Sequence, residues 1–510
     1  MNGPRLILRA DAGPDMGVGH AMRLLALGVA WKARGLAAAW AAHDPMPALA
    51  RRFQALGIDV LPLSARHPDP VDMRALETLA RESGPGCWVA LDGYHFDESC
   101  QTTLKKAGAR VLWLDDFGAC PRYYADLVLN QNAWHDPDWY GNLAPGSMLL
   151  TGPSHALLRP EFSAPPPVAR SFPAQARRVL VSLGGADPLA LAPRVVDGLA
   201  RCVAAGLEAV VVSGPANPTR SQLRAACQRA GAGFTLAEYV TDMPGLMAWA
   251  DVAILAGGVS CLEAAAMGLP MLLTGFADNQ RGNVRGLCSA GAAVNLDWGD
   301  ALTADGVAGQ AAALLADPEA RKAMSQAGRA FVDAKGARRV LAAMLAGPLR
   351  LRPVESADCE LLFRWANDSA TRANAFCSDP IPWENHVAWF SRKLAAPGSL
   401  LFLAHGRGGV PVGQIRFDRD GDAALIDFSV APGLRGLGLG SNLLSMGIEV
   451  MRHAWGPDVT ALGQVKRGNK ASAASFVRAG FRLAEPGKDN AAPEGADTYR
   501  VGPQAIGDTP

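Results

Sequence analysis

Between Leu6 and Leu27 the sequence LILRADAGPDMGVGHAMRLLAL runs from a short apolar strand through a glycine-punctuated loop into an apolar helix. That order constrains the chain more than any other feature, because strand, glycine turn and helix open a βαβ unit and point to a parallel sheet covered by helices. Gly17 and Gly19 lack a Cβ, so the loop can pass close to a ligand. The helix beginning near His20 aims unpaired N–H groups and its positive dipole end at the same place, which suits an anion. His20, with an ordinary pKa of about 6.5, fits the work of a general base near neutral pH. It fits equally well a histidine that only caps a helix. Met22 stands where the GxGxxG dinucleotide fingerprint requires a third glycine, so that motif is incomplete.

At 510 residues the chain exceeds one core, and its length predicts about three domains. Charge is balanced, with 49 Lys and Arg against 48 Asp and Glu. No basic block marks a nucleic-acid groove, and a net charge of +1 gives no general pull toward phosphate backbones or anionic membranes. Small molecules are the expected partners, with no nucleic acid and no membrane. Nine cysteines without CxxC pairs or a zinc-spaced histidine cluster indicate neither a disulfide framework nor a metal site. A reducing cytoplasm is the expected home, and MNGPRLILRAD is too short in apolar residues for a signal peptide. Val252 to Leu273, the most apolar region, is broken by Glu263, glycines and Pro270 and reads as buried α/β core. Composition leaves the oligomeric state open.

After the first helix, 36–42 reads as a strand and 47–56 as a helix. CWVALDGY (87–94), ARVLWLDDF (109–117) and DLVLNQN (126–132) are apolar runs with polar carboxyl ends. Buried parallel strands look like this, and ligands gather beyond their C-termini. Asp92, Tyr94 and Asn130 are therefore expected on the rim that carries His20, as ligand contacts or as turn and capping residues. EFSAPPPVARSFP, 161–173, cannot sustain a helix or a central strand and reads as an interdomain linker. A second unit follows: RRVLVSLGGADP (177–188) runs into Gly184 and Gly185 and a helix from about 189, with further strands at 208–214 and 251–258. The segment VSCLEAAAMG then opens a helix through Ser260 whose amino end faces the same cleft. Two glycine loops, each leading into a helix, form a natural diphosphate cradle. Glu263 is expected in the first turn of that helix, where a carboxylate also complements the dipole.

RADAGPDMGVGHAMR, VSLGGADP and LAGGVSCLEAAAMGLPMLLTGFADNQ together resemble the nucleotide-sugar hydrolases of pseudaminic acid biosynthesis, over roughly residues 5–345. The resemblance implies a GT-B fold of two Rossmann-like domains, 1–165 and 166–347, and removal of UDP from UDP-2,4-diacetamido-2,4,6-trideoxy-β-L-altropyranose. It implies His20 as catalytic base. It also gives Glu263 as acceptor for the ribose hydroxyls, and Asn279 and Gln280 as the pair facing nucleotide or sugar.

The remainder, 348–510, begins with a strand and helix in LRLRPVESADCELLFRWAND and a second helix in IPWENHVAWF (381–390). LLFLAHG, PVGQIRFD and ALIDFSV supply consecutive strands ending at Val430. RGLGLG, with Arg435, Gly436, Gly438 and Gly440, resembles the acetyl-CoA pyrophosphate loop of the GNAT acetyltransferases, an α+β fold in which a strand splays before the loop. VKRGNKASAASFVRAGF (465–481) adds that family's Asn469 and Ser472 helix and its terminal glycine-phenylalanine. The resemblance implies acetyl-CoA as cosubstrate. Many members carry a tyrosine four residues before that glycine as general acid, where this chain has Phe476. Asp427, at the end of the strand before the loop, reads as a base, a water anchor or a solvated carboxylate. The whole chain is thus expected to be a UDP-sugar hydrolase with a fused N-acetyltransferase; a GT-B glycosyltransferase and a nucleotide-sugar sensor with a degenerate acetyltransferase domain are the alternatives.

Overall fold

The computed structural model describes residues 4–13, 16–162, 170–184, 187, 189–202, 206–214, 217–238, 240–484, 493 and 495–502. The chain divides into two compact units, Met1–Val340 and Leu341–Pro510. Gly185 and most of the proline-rich stretch after Phe162 lie outside the described residues.

The first unit holds two parallel sheets. In the first sheet, β1 (Leu6–Arg9), β2 (Ala38–His43), β3 (Asp59–Leu63), β4 (Trp88–Leu91), β5 (Arg110–Leu114), β6 (Leu127–Asn130) and β7 (Met148–Thr151) pair in the order β3-β2-β1-β4-β5-β6-β7. The second sheet is built from β8 (Arg178–Ser182), β9 (Glu208–Ser213), β10 (Phe234–Glu238), β11 (Val252–Ala256), β12 (Met271–Thr274) and β13 (Val294–Asn295), in the order β10-β9-β8-β11-β12-β13. Each order reverses beside its first strand, and ligands of such sheets bind at that switch point, beyond the strand carboxyl ends. Every residue of β1, β4, β6, β11 and β12 is buried, which explains their unalternating apolar sequences. Sequence reading passes over β3, whose DVLPL contains a proline and is tolerated because β3 is an edge strand.

The two halves of this unit are packed together. Ala156, Leu158 and Phe162, on the first-domain side of the predicted boundary, belong to an apolar core with Leu180, Met247 and Leu262 of the second half. The helix Arg281–Ser289 lies against the segment after β6. Asn283, buried in that helix, accepts from the Ala133 backbone N–H at 3.0 Å and donates to the Gly257 carbonyl at 2.9 Å. Gly286 makes this approach sterically feasible, since a Cβ there would sit 2.3 Å from the Ala133 oxygen.

In the second unit, β14 (Arg350–Pro353), β15 (Ser399–His405), β16 (Pro411–Asp420), β17 (Ala423–Val430), β18 (Thr460–Lys466), β19 (Arg482–Leu483) and β20 (Ala496–Val501) form one sheet in the order β14-β15-β16-β17-β18-β20-β19. All its neighbours are antiparallel except β17 and β18. That parallel pair is joined from Ala423–Thr460 to Ile426–Gly463. Beyond it, among the described residues, the two strands are not paired with each other, which leaves a fork at Asp427.

Replacing Gly286 with valine is expected to force the helix Arg281–Ser289 off the Ala133 backbone, a cost of roughly 1–3 kcal/mol. In calorimetry of the full chain, the transition of the first unit should fall while that of the Leu341–Pro510 unit stays in place.

Candidate active site

His20 is the second residue of the helix Gly19–Lys32, directly after the loop in which Gly13 and Gly17 exchange two backbone hydrogen bonds, at 2.7 and 3.2 Å. Gly17 has φ +70°, a left-handed conformation that glycine adopts without strain. The His20 ring is nearly buried, and its Nδ1 lies 2.6 Å from Oδ1 of Asp92, which follows β4. An ionised carboxylate only accepts, so Nδ1 carries a hydrogen, and in the neutral ring the lone pair is then on Nε2. Burial pushes the Asp92 carboxyl up, but the charge of Arg23 and the contact with His20 outweigh it and hold the group below the usual carboxylate value.

Arg23 stands one helical turn after His20, and the sequence marks it only by the i, i+3 spacing that puts both side chains on one helix face. Its Nε donates to Asp92 Oδ2 at 2.9 Å and its Nη2 to Asp92 Oδ1 at 2.6 Å, while Nη1 reaches Asp116 Oδ1 at 2.7 Å. Asp116 follows β5 by two residues and accepts from the Tyr94 hydroxyl at 2.7 Å and from Asn132 Nδ2 at 3.3 Å. Burial and the Asp116 charge push the Tyr94 phenol far above its ordinary value, so it remains a donor. The Tyr94 ring meets His20 edge-on at 4.7 Å. Asn279, from the second half, donates to the Tyr94 hydroxyl at 2.6 Å. His20, Asp92, Tyr94 and Asn279, all predicted, are therefore brought together across the two halves.

Three predicted positions are used otherwise. Asn130 is fully buried, donating to the Tyr140 hydroxyl at 2.8 Å and accepting from the Asn132 N–H at 3.0 Å, so it shapes the strand end behind the rim. Gln280 is buried and its side-chain oxygen accepts from the Phe276 N–H at 3.0 Å, closing the turn after β12. Glu263 lies beyond the first turn of the helix Val259–Ala266, so it is not a dipole partner there. It is 1% exposed and paired on both oxygens with Arg159, at 2.7 and 2.6 Å. The bidentate guanidinium takes one acceptor site on each carboxylate oxygen and, with this burial, holds the group in place. Gly184, with φ +91° and open space at its Cβ position, and Ser260, in the first turn of the helix Val259–Ala266, remain at the carboxyl edge of the second sheet.

In the second unit the helix Leu439–Trp455 starts at the fork, capped by Gly438 at φ +85° and preceded by Gly436 at φ +76°. Gly440 lies against the helix Lys470–Arg478, where a Cβ would approach Ser475 Oγ to 2.9 Å. The Arg435 guanidinium is turned to Asp368 and Thr371 and, at 3.2 Å, to the Val430 carbonyl, so this side chain pins the loop to the neighbouring helix. Asn469 caps the helix Lys470–Arg478 by accepting from the Ser472 N–H at 3.1 Å. Asp427 is half exposed at the fork, 3.3 Å from Gln414 Nε2 and 3.5 Å from Arg416 Nη1. Phe476 is 2% exposed among Phe428, Phe481 and Tyr499, with its ring filling the space over Gly463.

Residues 179–340 match the glycosyltransferase family 28 C-terminal domain, and residues 360–481 match the acetyltransferase (GNAT) family. A glycosyltransferase-like nucleotide-sugar domain and a GNAT domain share this chain. The spore coat polysaccharide biosynthesis protein SpsG of Bacillus subtilis is 27% identical over 350 residues, 65% of this chain and 95% of the relative. A UDP-N-acetylglucosamine--N-acetylmuramyl-(pentapeptide) pyrophosphoryl-undecaprenol N-acetylglucosamine transferase of Alkalilimnicola ehrlichii is 34% identical over 157 residues, 30% of this chain and 43% of the relative, so the chain spans less than half of that enzyme. Among solved structures, Acinetobacter baumannii MurG aligns over 67% of this chain and 99% of its own, at 16% identity and TM-score 0.48. The two doubly wound sheets of the first unit form a GT-B-like pair, and the forked sheet, glycine loop and following helix are those of a GNAT domain. Among the described residues, no group of three or more His, Cys, Asp and Glu is placed to hold a metal ion, and no helix is long and apolar enough to cross a membrane.

The Arg159–Glu263 pair gives a direct test of its structural role. Arg159→Met leaves a buried carboxylate without its partner and should cost about 3–5 kcal/mol. Adding Glu263→Gln should recover much of that loss in denaturant unfolding. An unfolding midpoint that stays in place in Arg159→Met overturns the structural role.

Proposed function

We propose that the chain is a bifunctional nucleotide-sugar enzyme. In this reading the Met1–Val340 unit hydrolyses UDP-2,4-diacetamido-2,4,6-trideoxy-β-L-altropyranose to free sugar and UDP. The Leu341–Pro510 unit N-acetylates the 4-amino UDP-sugar precursor with acetyl-CoA. The observation that carries the hydrolase assignment is the Asp92–His20 contact at the carboxyl rim of the first sheet, 2.6 Å long, which places the lone pair of the neutral ring on Nε2. Nε2 takes a proton from water as the water oxygen bonds to the anomeric carbon, and the bond from that carbon to the UDP oxygen breaks with its electron pair leaving on UDP. One such displacement inverts the anomeric centre. Gly17 and Gly19 sit beside the base, and the diphosphate is assigned to the glycine loops at Gly184, Gly185 and Gly258 and to the amino end of the helix at Ser260.

For the acetyltransferase step, the fork between β17 and β18 and the loop Arg435–Gly440 support binding of an extended cosubstrate whose diphosphate meets the amino end of the helix Leu439–Trp455. Asp427 at the fork is the proposed acceptor for the proton of the substrate ammonium. Because Phe476 has no hydroxyl, the departing thiolate is assigned a proton from water. The product of this step would be the substrate of the hydrolase, and tethering raises the local concentration of the shared intermediate.

A transferase reading is favoured by one observation, the 34% identity to an N-acetylglucosamine transferase over 157 residues. Release of free sugar and UDP from the diacetamido UDP-sugar, with no acceptor present, separates the two; the absence of release in that assay would reject hydrolysis.

His20→Asn should lower turnover by roughly a hundred-fold to ten-thousand-fold, as expected on loss of a general base, while UDP binding by calorimetry stays within about twofold. Supplied with the 4-amino sugar and acetyl-CoA, this variant should accumulate the diacetamido UDP-sugar, detectable by mass spectrometry. Gly438→Val places a branched side chain in a left-handed position beside the proposed diphosphate path. It should stop acetyl-CoA consumption yet hydrolyse the pre-acetylated substrate at a near-normal rate.

A further inference from the structure

The charged groups around His20 come from three elements, and their arrangement sets which form of the ring can exist. Asp92 follows β4, Asp116 follows β5 by two residues, and Arg23 lies on the same helix as His20; the neutral Tyr94 hydroxyl completes the shell. Asp92 Oδ1 is shared, accepting from His20 Nδ1 and from Arg23 Nη2, each at 2.6 Å. Arg23 Nη2 also lies 3.2 Å from His20 Nδ1. With Nδ1–H pointing at Asp92, two donors face each other across that gap, so the contact is a cation set against the ring and not a hydrogen bond.

A buried carboxylate bonded to an imidazole would, with no compensating cation, hold the ring as imidazolium, because an opposite charge at this range favours the charged form. An imidazolium has no lone pair for water. Arg23 removes that bias twice over: it divides the Asp92 charge, and it places its own charge next to Nδ1. It also fixes both Asp92 oxygens, which leaves the carboxylate one orientation in which to hold the ring.

We infer that Arg23 is a positioning residue that keeps His20 neutral, with Nε2 unprotonated, at the pH where the cleft works. This inference rests on the reading of His20 as general base. It assigns to a residue with no direct part in the reaction the choice between an active and an inactive form of the base.

The test is the titration of the His20 ring, followed by NMR in the unliganded full chain and assigned by comparison with His20→Asn. Arg23→Gln is expected to raise the His20 midpoint by about one pH unit or more. Arg23→Lys, which keeps the charge, should hold it within a few tenths of a unit. Asp116→Asn removes the opposing carboxylate and should move the midpoint down, which gives a reading even when Arg23→Gln fails to fold. The acid limb of kcat/KM for UDP release should move with the ring, so that Arg23→Gln regains activity toward alkaline pH. A His20 midpoint that stays in place in the folded variants overturns the inference, as does a uniform loss of activity at all pH values with an unmoved acid limb. Failure of the base reading looks different: His20→Asn would turn over normally, whatever the ring titration shows.

Discussion

A buried guanidinium that holds two carboxylates from different strands is the interaction on which the first unit's cleft depends. Arg23 ties the ends of β4 and β5 to the helix that carries His20, so the switch point of the sheet and the proposed base are one charged cluster. Removing Arg23 leaves two carboxylates in a low-dielectric place without their shared counter-ion, whereas removing either carboxylate leaves the guanidinium bonded to the other. The arrangement therefore depends on Arg23 above its other members, and it orients the His20 ring without help from a ligand.

The second half of the unit is joined to this cluster by groups that do not look catalytic in a sequence. Asn283 satisfies a carbonyl of the Gly257 loop and an N–H of the first half with one side chain. Arg159, in the chain crossing between the halves, closes on Glu263 and lies 3.7 Å from Glu161, which in turn is bonded to Arg52 of the first half. The segment that looks like a linker thus begins as core: Leu158 and Phe162 are buried in the second half, and the proline-rich stretch follows only after they are anchored.

Much of this was legible because period and punctuation carry it. Apolar runs that end in acids or asparagines mark the parallel strands and the rim carrying Asp92 and Tyr94, the glycine loop marks His20, the family resemblance supplies Asn279, and these four converge. What was hidden follows from what a sequence does not encode locally. Glu263 reads as a helix-dipole or ribose acid because its partner is 104 residues away. Asn130 and Gln280 look like rim residues, yet each is occupied by a neighbour within ten positions. Arg435 sits in the expected loop, but its side chain finds Asp368 and Thr371 on a helix far earlier in the chain. Residue type and spacing place a group near a site; only packing decides which way it turns. Phe476 is the converse case, since its ring is a core element stacked near Tyr499 and the missing hydroxyl changes nothing in the fold.

The fork between β17 and β18 has a consequence of another kind. Past Ile426 and Gly463 the facing edges of the two strands offer main-chain N–H and carbonyl groups that must find partners in water or in a ligand. A molecule gripped there would be recognised by atoms that every residue possesses, so the grip asks little of the side chains on the diverging strands, Asp427 apart. What it asks for is a path of the backbone, and the left-handed Gly436 and Gly438 set that path where the loop enters the helix Leu439–Trp455.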